Sequence, residues 1–344
     1  MHRRMIAALA AVLSILLLVS ACAGKPGSSP DGATSIKIAG VNLMTFSPAF
    51  LAKSLGYYKD EGLDVTIVPT DSGDASVSAM LGGSVVAVTT GFDTPIELAT
   101  KGQAVQSLAG LEMATIYAFV GGNAFPAIPA DDPQAFVGAM RGKKFGVAAA
   151  GSTGDTIARG IFTEYGLNPD EDVSIIAVGT GAEASAALRA GAVDALITYE
   201  PDLTQMTQAG VGRVVFDLRN TTNETVYSKL PTSTLQATKK WIDSNPEVAA
   251  KLVRAVTRAN NTLRDDPQTA LPAVQQLFSD LNPELVADIY ESSRAHFTSD
   301  ISAAAYDAAM AIYRKTGLIT EDVPYEKVVA TQFAGIWNAA AAKS

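Results

Sequence analysis

Apolar and polar positions follow an ordered rhythm from residue 36 onward. Ile36 to Val41 alternates with β-branched residues and predicts a strand. Ser47-Pro48 then supplies an N-cap and a proline at the first helical turn, with Phe50, Leu51 and Leu55 on one face and Gly56 ending the helix. Leu63 to Val68 predicts the next strand, Asp71-Ser72-Gly73 opens a helix through Leu81, and Val85 to Thr90 is a third strand. A helix through Ile96 to Thr100 stops at Gly102. This β-α-β-α-β-α order argues for an α/β fold with an open, mostly parallel sheet covered by helices.

Gln106 to Ala109 and Ile116 to Val120 predict two further strands, after which Gly121-Gly122 and the Pro126 to Pro133 stretch break the pattern. The alternation then restarts with strands at Lys144 to Ala148, Val173 to Val178 and Val193 to Thr198 and helices at Asp155 to Tyr165 and Ala182 to Ala190. Gly83 to Thr90 echoes Gly191 to Thr198, each following a small-residue helix and ending in threonine. The echo suggests one unit used twice, although any helix-glycine-strand unit produces a similar pattern. Past Val214 to Asp217 a strand near Leu235 to Ala237 precedes mostly helical sequence. Asn245-Pro246 starts an amphipathic helix with Val248, Leu252, Val256, Ala259 and Leu263 facing inward.

The amino terminus stands apart. His2, Arg3 and Arg4 precede an apolar run from Ile6 to Val19 broken only by Ser14, which predicts a signal peptide over residues 1–21. The run is shorter than the roughly 20 residues a membrane span needs. Val19-Ser20-Ala21-Cys22 resembles a bacterial lipoprotein cleavage box, which implies that Cys22 carries lipid. Residues 22–34, rich in Gly, Pro and Ser, predict a flexible tether; Lys25 to Ser35 would reach roughly 35 to 40 Å at about 3.5 Å per residue.

Charge narrows the partners. Loss of Arg3 and Arg4 with the leader, and of no acid, moves the formal charge from −9 to −11. An acidic surface disfavours nucleic acid, which wants basic patches. The sole cysteine is assigned to lipid, so no disulfide is available and the domain relies on its core.

Several motifs together resemble the nitrate/sulfonate/taurine-type substrate-binding proteins of ABC importers, a family that includes binders of thiamine-pyrimidine precursors. These are the run Phe46-Ser47-Pro48-Ala49-Phe50-Leu51-Ala52-Lys53-Ser54-Leu55-Gly56-Tyr57-Tyr58-Lys59-Asp60-Glu61-Gly62-Leu63-Asp64-Val65, then Met140-Arg141-Gly142-Lys143-Lys144-Phe145-Gly146-Val147, Gly151-Ser152-Thr153, Leu188-Arg189-Ala190-Gly191-Ala192-Val193-Asp194-Ala195 and Tyr199-Glu200-Pro201. The resemblance covers about Ile36 to Pro246. It implies a type II periplasmic-binding-protein fold of two α/β lobes with a two-strand hinge and a helical C-terminal tail. Lobe one would comprise residues 35–121 and 225–344, and lobe two residues 122–224. It further implies a monomer on the extracytoplasmic face of the cell membrane, delivering a small polar solute to the importer's membrane subunits. Val86, where many members carry an acid, and the acid in Gly151-Ser152-Thr153-Gly154-Asp155 depart from the pattern.

In open α/β sheets, ligands bind beyond the carboxyl ends of strands, near helix amino termini. The candidate ligand residues there are Asn42, Thr45, Phe46, Ser72, Gly73, Thr90, Gly91, Ser152, Thr153, Thr180, Tyr199 and Glu200. Ser72 and Ser152 also read as plain N-caps, and Phe46 and Phe92 as core. Glu200, if inward, would pair with an ammonium or an amino-heterocycle; otherwise it faces solvent beside Pro201. These neutral donors fit an oxyanion such as sulfonate, nitrate or carboxylate, and an inward Glu200 shifts the expectation toward a zwitterion or a pyrimidine-like ring.

Catalysis has little support. The exported chain keeps one histidine, His296, and no free cysteine, so neither a Ser-His-Asp arrangement in the cleft nor a Cys/His metal cluster assembles. No cofactor or metal is expected. Asp71, Asp74 and Asp93 leave open a surface enzyme using acidic residues, and a ligand-presenting sensory protein is the other alternative.

Overall fold

A computed structural model describes residues 27–28, 32–129, 132–219 and 225–339 of the chain. The expected signal peptide and Cys22, and most of the tether, lie outside the described residues. Among these, no helix is long and apolar enough to cross a membrane.

Two sheets are built on one plan. The first runs β3 (Leu63–Pro69), β2 (Thr34–Gly40), β4 (Ala87–Gly91), β11 (Ser233–Thr238), β5 (Val105–Gly110). A two-residue strand, β1 (Gly27–Ser28), pairs antiparallel with the start of β2. The second runs β8 (Ser174–Ala177), β7 (Lys144–Val147), β9 (Ala195–Thr198), β6 (Ala118–Gly122), β10 (Gly212–Asp217). In each, three parallel strands are followed by one antiparallel strand and then a fifth running with the first three: β2 pairs parallel with β3 and β4, as β7 does with β8 and β9. The antiparallel strands β11 and β6 occupy matching places. The Gly83–Thr90 and Gly191–Thr198 echo therefore falls on topologically equivalent strands, β4 and β9.

The hydrophobic pattern explains which faces are buried. In β2, Ile36 and Ile38 face the core while Lys37 is exposed. In the helix Pro246–Asp265, Leu252, Val256, Ala259 and Leu263 are buried as the periodicity predicts, with Ala249 and Val253 added and Val248 only partly covered. The centre of the second sheet is aromatic. Phe119, fully buried on β6, sits 4.8 Å from Phe136, 5.6 Å from Phe145 and 5.7 Å from Phe216 between ring centroids.

The chain crosses between sheets twice, from Gly110 to Ala118 and from Asp217 to Ser233. The first crossing precedes the expected boundary at Gly121, because β6 bonds to β9 and β10 rather than to the first sheet. Gly121-Gly122 does not break a strand here. A Cβ on Gly121 would come within 2.9 Å of Phe125 and Val215, so glycine permits close packing inside the strand.

The helical tail packs on the first sheet through Pro246–Asp265, whose Asn260 donates to the Gly110 carbonyl (3.0 Å) and to Ser299 Oγ (2.7 Å). It is not confined there. The Ala303–Thr316 helix also reaches the Thr153–Glu164 helix beside the second sheet, where Lys315 pairs with Glu164 at 2.8 Å.

Phe119→Ala is expected to lower the unfolding free energy by about 3 to 5 kcal/mol through lost transfer energy and a residual cavity. Urea denaturation checks this, and a loss under about 1 kcal/mol would show that the ring cluster repacks.

Candidate functional site

The strand ends position the site. A cavity of about 450 Å³ lies between the two sheets. Asp74, Asp93 and Glu97 wall it on the side of the first sheet; Gly151 to Gly154, Val178 to Thr180 and Thr198-Tyr199 wall it on the other, where Tyr117, just ahead of Ala118, packs against them, with Leu318 of the tail at the edge. The second wall is built from residues just beyond the carboxyl ends of β7, β8 and β9, the place where open α/β sheets bind ligands.

Local sequence sets each piece. Ser152 caps the Thr153–Glu164 helix, accepting from Asp155 N at 3.3 Å, after Gly151 turns the chain at φ 75°. Thr180 occupies the N-cap of the Gly181–Arg189 helix without a side-chain cap bond, leaving its hydroxyl on the cavity wall. Tyr199 meets Tyr117 edge to face at 5.6 Å. Burial raises both phenols above their ordinary range, so they remain protonated.

Of the expected ligand residues, Ser152, Thr153, Thr180 and Tyr199 line this cavity. Ser72 and Gly73 do not line it. Ser72 is an exposed cap accepting from Ala75 N (3.2 Å), and Gly73 starts the helix that carries Asp74. Thr90 lies beneath the surface at 2% exposure, and the Gly91 carbonyl accepts from Gln236 (2.8 Å); neither lines the cavity.

Four residues are placed elsewhere. Asn42 donates to the Leu277 carbonyl at 3.1 Å, and Phe46 is core. Thr45 and Glu200 meet instead in a second, small cavity of about 20 Å³ with Glu112, Arg219 and Tyr199. There Thr45 shares a 2.6 Å hydrogen bond with Ser233, and the Glu200 carboxylate accepts from Arg219 (2.7 Å) and from Thr204 N (3.1 Å). Glu200 is thus neither solvent-facing nor on the main cavity: an arginine 19 positions away neutralises it, which strand-end reasoning had no means of pairing. Burial pushes the neighbouring Glu112 up to about 8, against the opposing effects of Thr45, Ser293 and Arg219.

Sequence reasoning missed Tyr117, read only as part of a strand region, and Leu318, brought in by tertiary packing. It noted Asp74 and Asp93 as clustered acids without naming either as a ligand residue. No lysine, arginine or histidine lines the cavity among the described residues. No group of three or more His, Cys, Asp or Glu side chains there is arranged to hold a metal ion.

Burial pushes the Asp93 carboxyl up to about 6, with Glu97 adding to the effect. A carboxyl whose folded value exceeds its unfolded one of about 3.9 keeps its stabilising contribution below about pH 4 and loses it as pH rises through about 6. Asp93→Asn is therefore expected to raise the melting temperature of the ligand-free protein at pH 7.5 but not at pH 4. Parallel thermal melts check this, and equal shifts at both pH values would contradict it.

The likenesses to known proteins agree with this architecture. YtlA of Bacillus subtilis (strain 168), named as a binding protein, is 22% identical over 343 residues, spanning 97% of this chain and 98% of its own. The aliphatic sulphonate-binding protein SsuA of Escherichia coli superposes with a TM-score of 0.68 at 17% identity, covering 88% of this chain and 92% of its own. A ligand-binding component of an ABC-type import system from Staphylococcus aureus gives 0.64 at 14% identity, covering 87% and 97%. These structures establish the periplasmic-binding-protein fold. The model of the NMT1-like family matches residues 29–277, and with its two sheets of one plan facing a common cavity, the chain belongs to that family.

Proposed function

We propose that this protein is the extracytoplasmic solute-binding component of an ABC importer, anchored to the membrane through lipid on Cys22. The observation that carries the reading is the cavity of about 450 Å³ walled by both sheets, a size suited to one small molecule. One lobe comprises β1 to β5 with β11 and most of the tail, and the other comprises β6 to β10. The crossings from Gly110 to Ala118 and from Asp217 to Ser233 form the hinge.

The mechanism is differential stabilisation of the closed state. A solute touching Asp74 or Asp93 on one wall and Ser152, Thr153 or Thr180 on the other makes its full set of contacts only when the lobes are together. It shifts the open–closed equilibrium by that difference in affinity. The closed monomer then presents both lobe rims to the importer's membrane subunits. Nothing in this sequence of events breaks a bond, and no group in the cavity is arranged as a nucleophile and base pair.

A thermal-shift screen of small solutes, followed by calorimetry and solution scattering, tests the reading. The bound solute is expected to reduce the radius of gyration. Replacing Ser152 and Thr153 together by alanine should weaken its binding at least tenfold while leaving the melting temperature of the empty protein within about 2 °C. Unchanged affinity would remove this loop from the site. For the anchor, Cys22→Ser is expected to abolish incorporation of labelled fatty acid and move the protein from the membrane to the soluble fraction; retention of label would place the lipid elsewhere.

A further inference from the structure

We infer that the cavity selects a small organic cation, a solute bearing a protonated amine or quaternary ammonium, rather than a free anion. This rests on the reading of the cavity as the solute site. The charge distribution carries it. Asp74, Asp93 and Glu97 project from the first wall, and no basic side chain among the described residues lines either wall to balance them. Glu97 has an ion-pair partner in Lys101 at 3.6 Å, but that lysine side chain is 66% exposed and the pair is weak at a solvated surface.

Two backbone donors that would attract an anion are already engaged. The helix starts at Thr153 and Gly181 carry a partial positive charge, yet Gly151 N donates to Asp155 Oδ2 at 2.8 Å and Gly181 N donates to Asp202 Oδ2 at 2.6 Å. Asp155 is fixed there by Arg159, whose Nε donates to its other oxygen at 2.8 Å. Both of these helix starts thus meet a carboxylate of the chain itself. A sulfonate or nitrate entering would add a further negative charge to a cavity whose first wall already holds three.

The rest of the lining suits the body of such a solute. Thr198, only 6% exposed, adds a hydroxyl-bearing side chain to the wall. Beside it stand the rings of Tyr117 and Tyr199, whose faces attract cations and flat apolar groups. The acids and the paired rings together describe a site for an ammonium carried on a small organic body. A metal ion is disfavoured because the carboxylates do not converge on one point.

Calorimetry on the full-length protein in detergent, with tetramethylammonium, 2-phenylethylammonium, ethanesulfonate and nitrate as probes, tests the inference. An ammonium probe is expected to bind at least tenfold more tightly than either anion, and Asp93→Asn or Asp74→Asn should weaken it at least tenfold. Ammonium affinity unmoved by both substitutions would overturn the inference. An anion bound more tightly than both ammonium probes, and lost on Ser152→Ala with Thr153→Ala, would overturn the choice of cation while leaving the cavity as the solute site. No binding by any of the four probes would overturn the inference, and a wider screen that also found no solute sensitive to cavity substitutions would overturn the solute-site reading as well.

Discussion

The architecture depends on one backbone constraint: β4 and β5 do not pair with each other. The strand that satisfies both of their inner edges is β11, which lies more than 120 residues downstream of β5. An unpaired buried strand edge is costly, so the first sheet is complete only after the chain has left, built the second sheet and returned. The second sheet is consequently an insertion in the first, and the segments from Gly110 to Ala118 and from Asp217 to Ser233 connect the two. Position of the cavity follows, since the carboxyl ends of the parallel strands in both sheets look toward the space between them.

Much of this was legible in the sequence. Period-two apolar runs marked the strands, the Ser47-Pro48 and Asn245-Pro246 starts marked helices, and the Gly83–Thr90 and Gly191–Thr198 echo anticipated equivalent strands. The sheet assignment of β6 was not legible. Gly121-Gly122 carries a breaker signature, and only the closeness of Phe125 and Val215 shows that it is a packing device. Among site residues, strand-end reasoning located Ser152, Thr153, Thr180 and Tyr199 because each lies immediately beyond a strand of the second sheet. It misplaced Glu200, whose partner Arg219 is adjacent only after β10 has paired with β6. Leu318 belongs to the same class: a residue of the distal tail reaches the cavity solely through tertiary packing.

The site departs from a stable arrangement in ways that point to binding. Asp93 holds its charge in surroundings that raise its pKa, and three acids share a wall with no base. Both features cost the empty protein free energy, and the cation proposed above would relieve both. The small cavity around Glu112, Glu200 and Arg219 is different in kind: its charges answer one another, and it joins residues from both sheets and both crossings. Internal neutralisation of this sort fits a joint better than a receptor.

The Ala303–Thr316 helix adds a strap across one flank of the molecule. It leaves the body of the first sheet and ends in the Lys315–Glu164 pair beside the second, with side chains about 44% and 29% exposed. A half-solvated pair of this kind is worth about 1 kcal/mol or less and is screened over about 8 Å at physiological ionic strength. The strap therefore ties the two sheets to each other on the flank bearing Leu318 without locking them, since a contact of this strength breaks and re-forms at little cost.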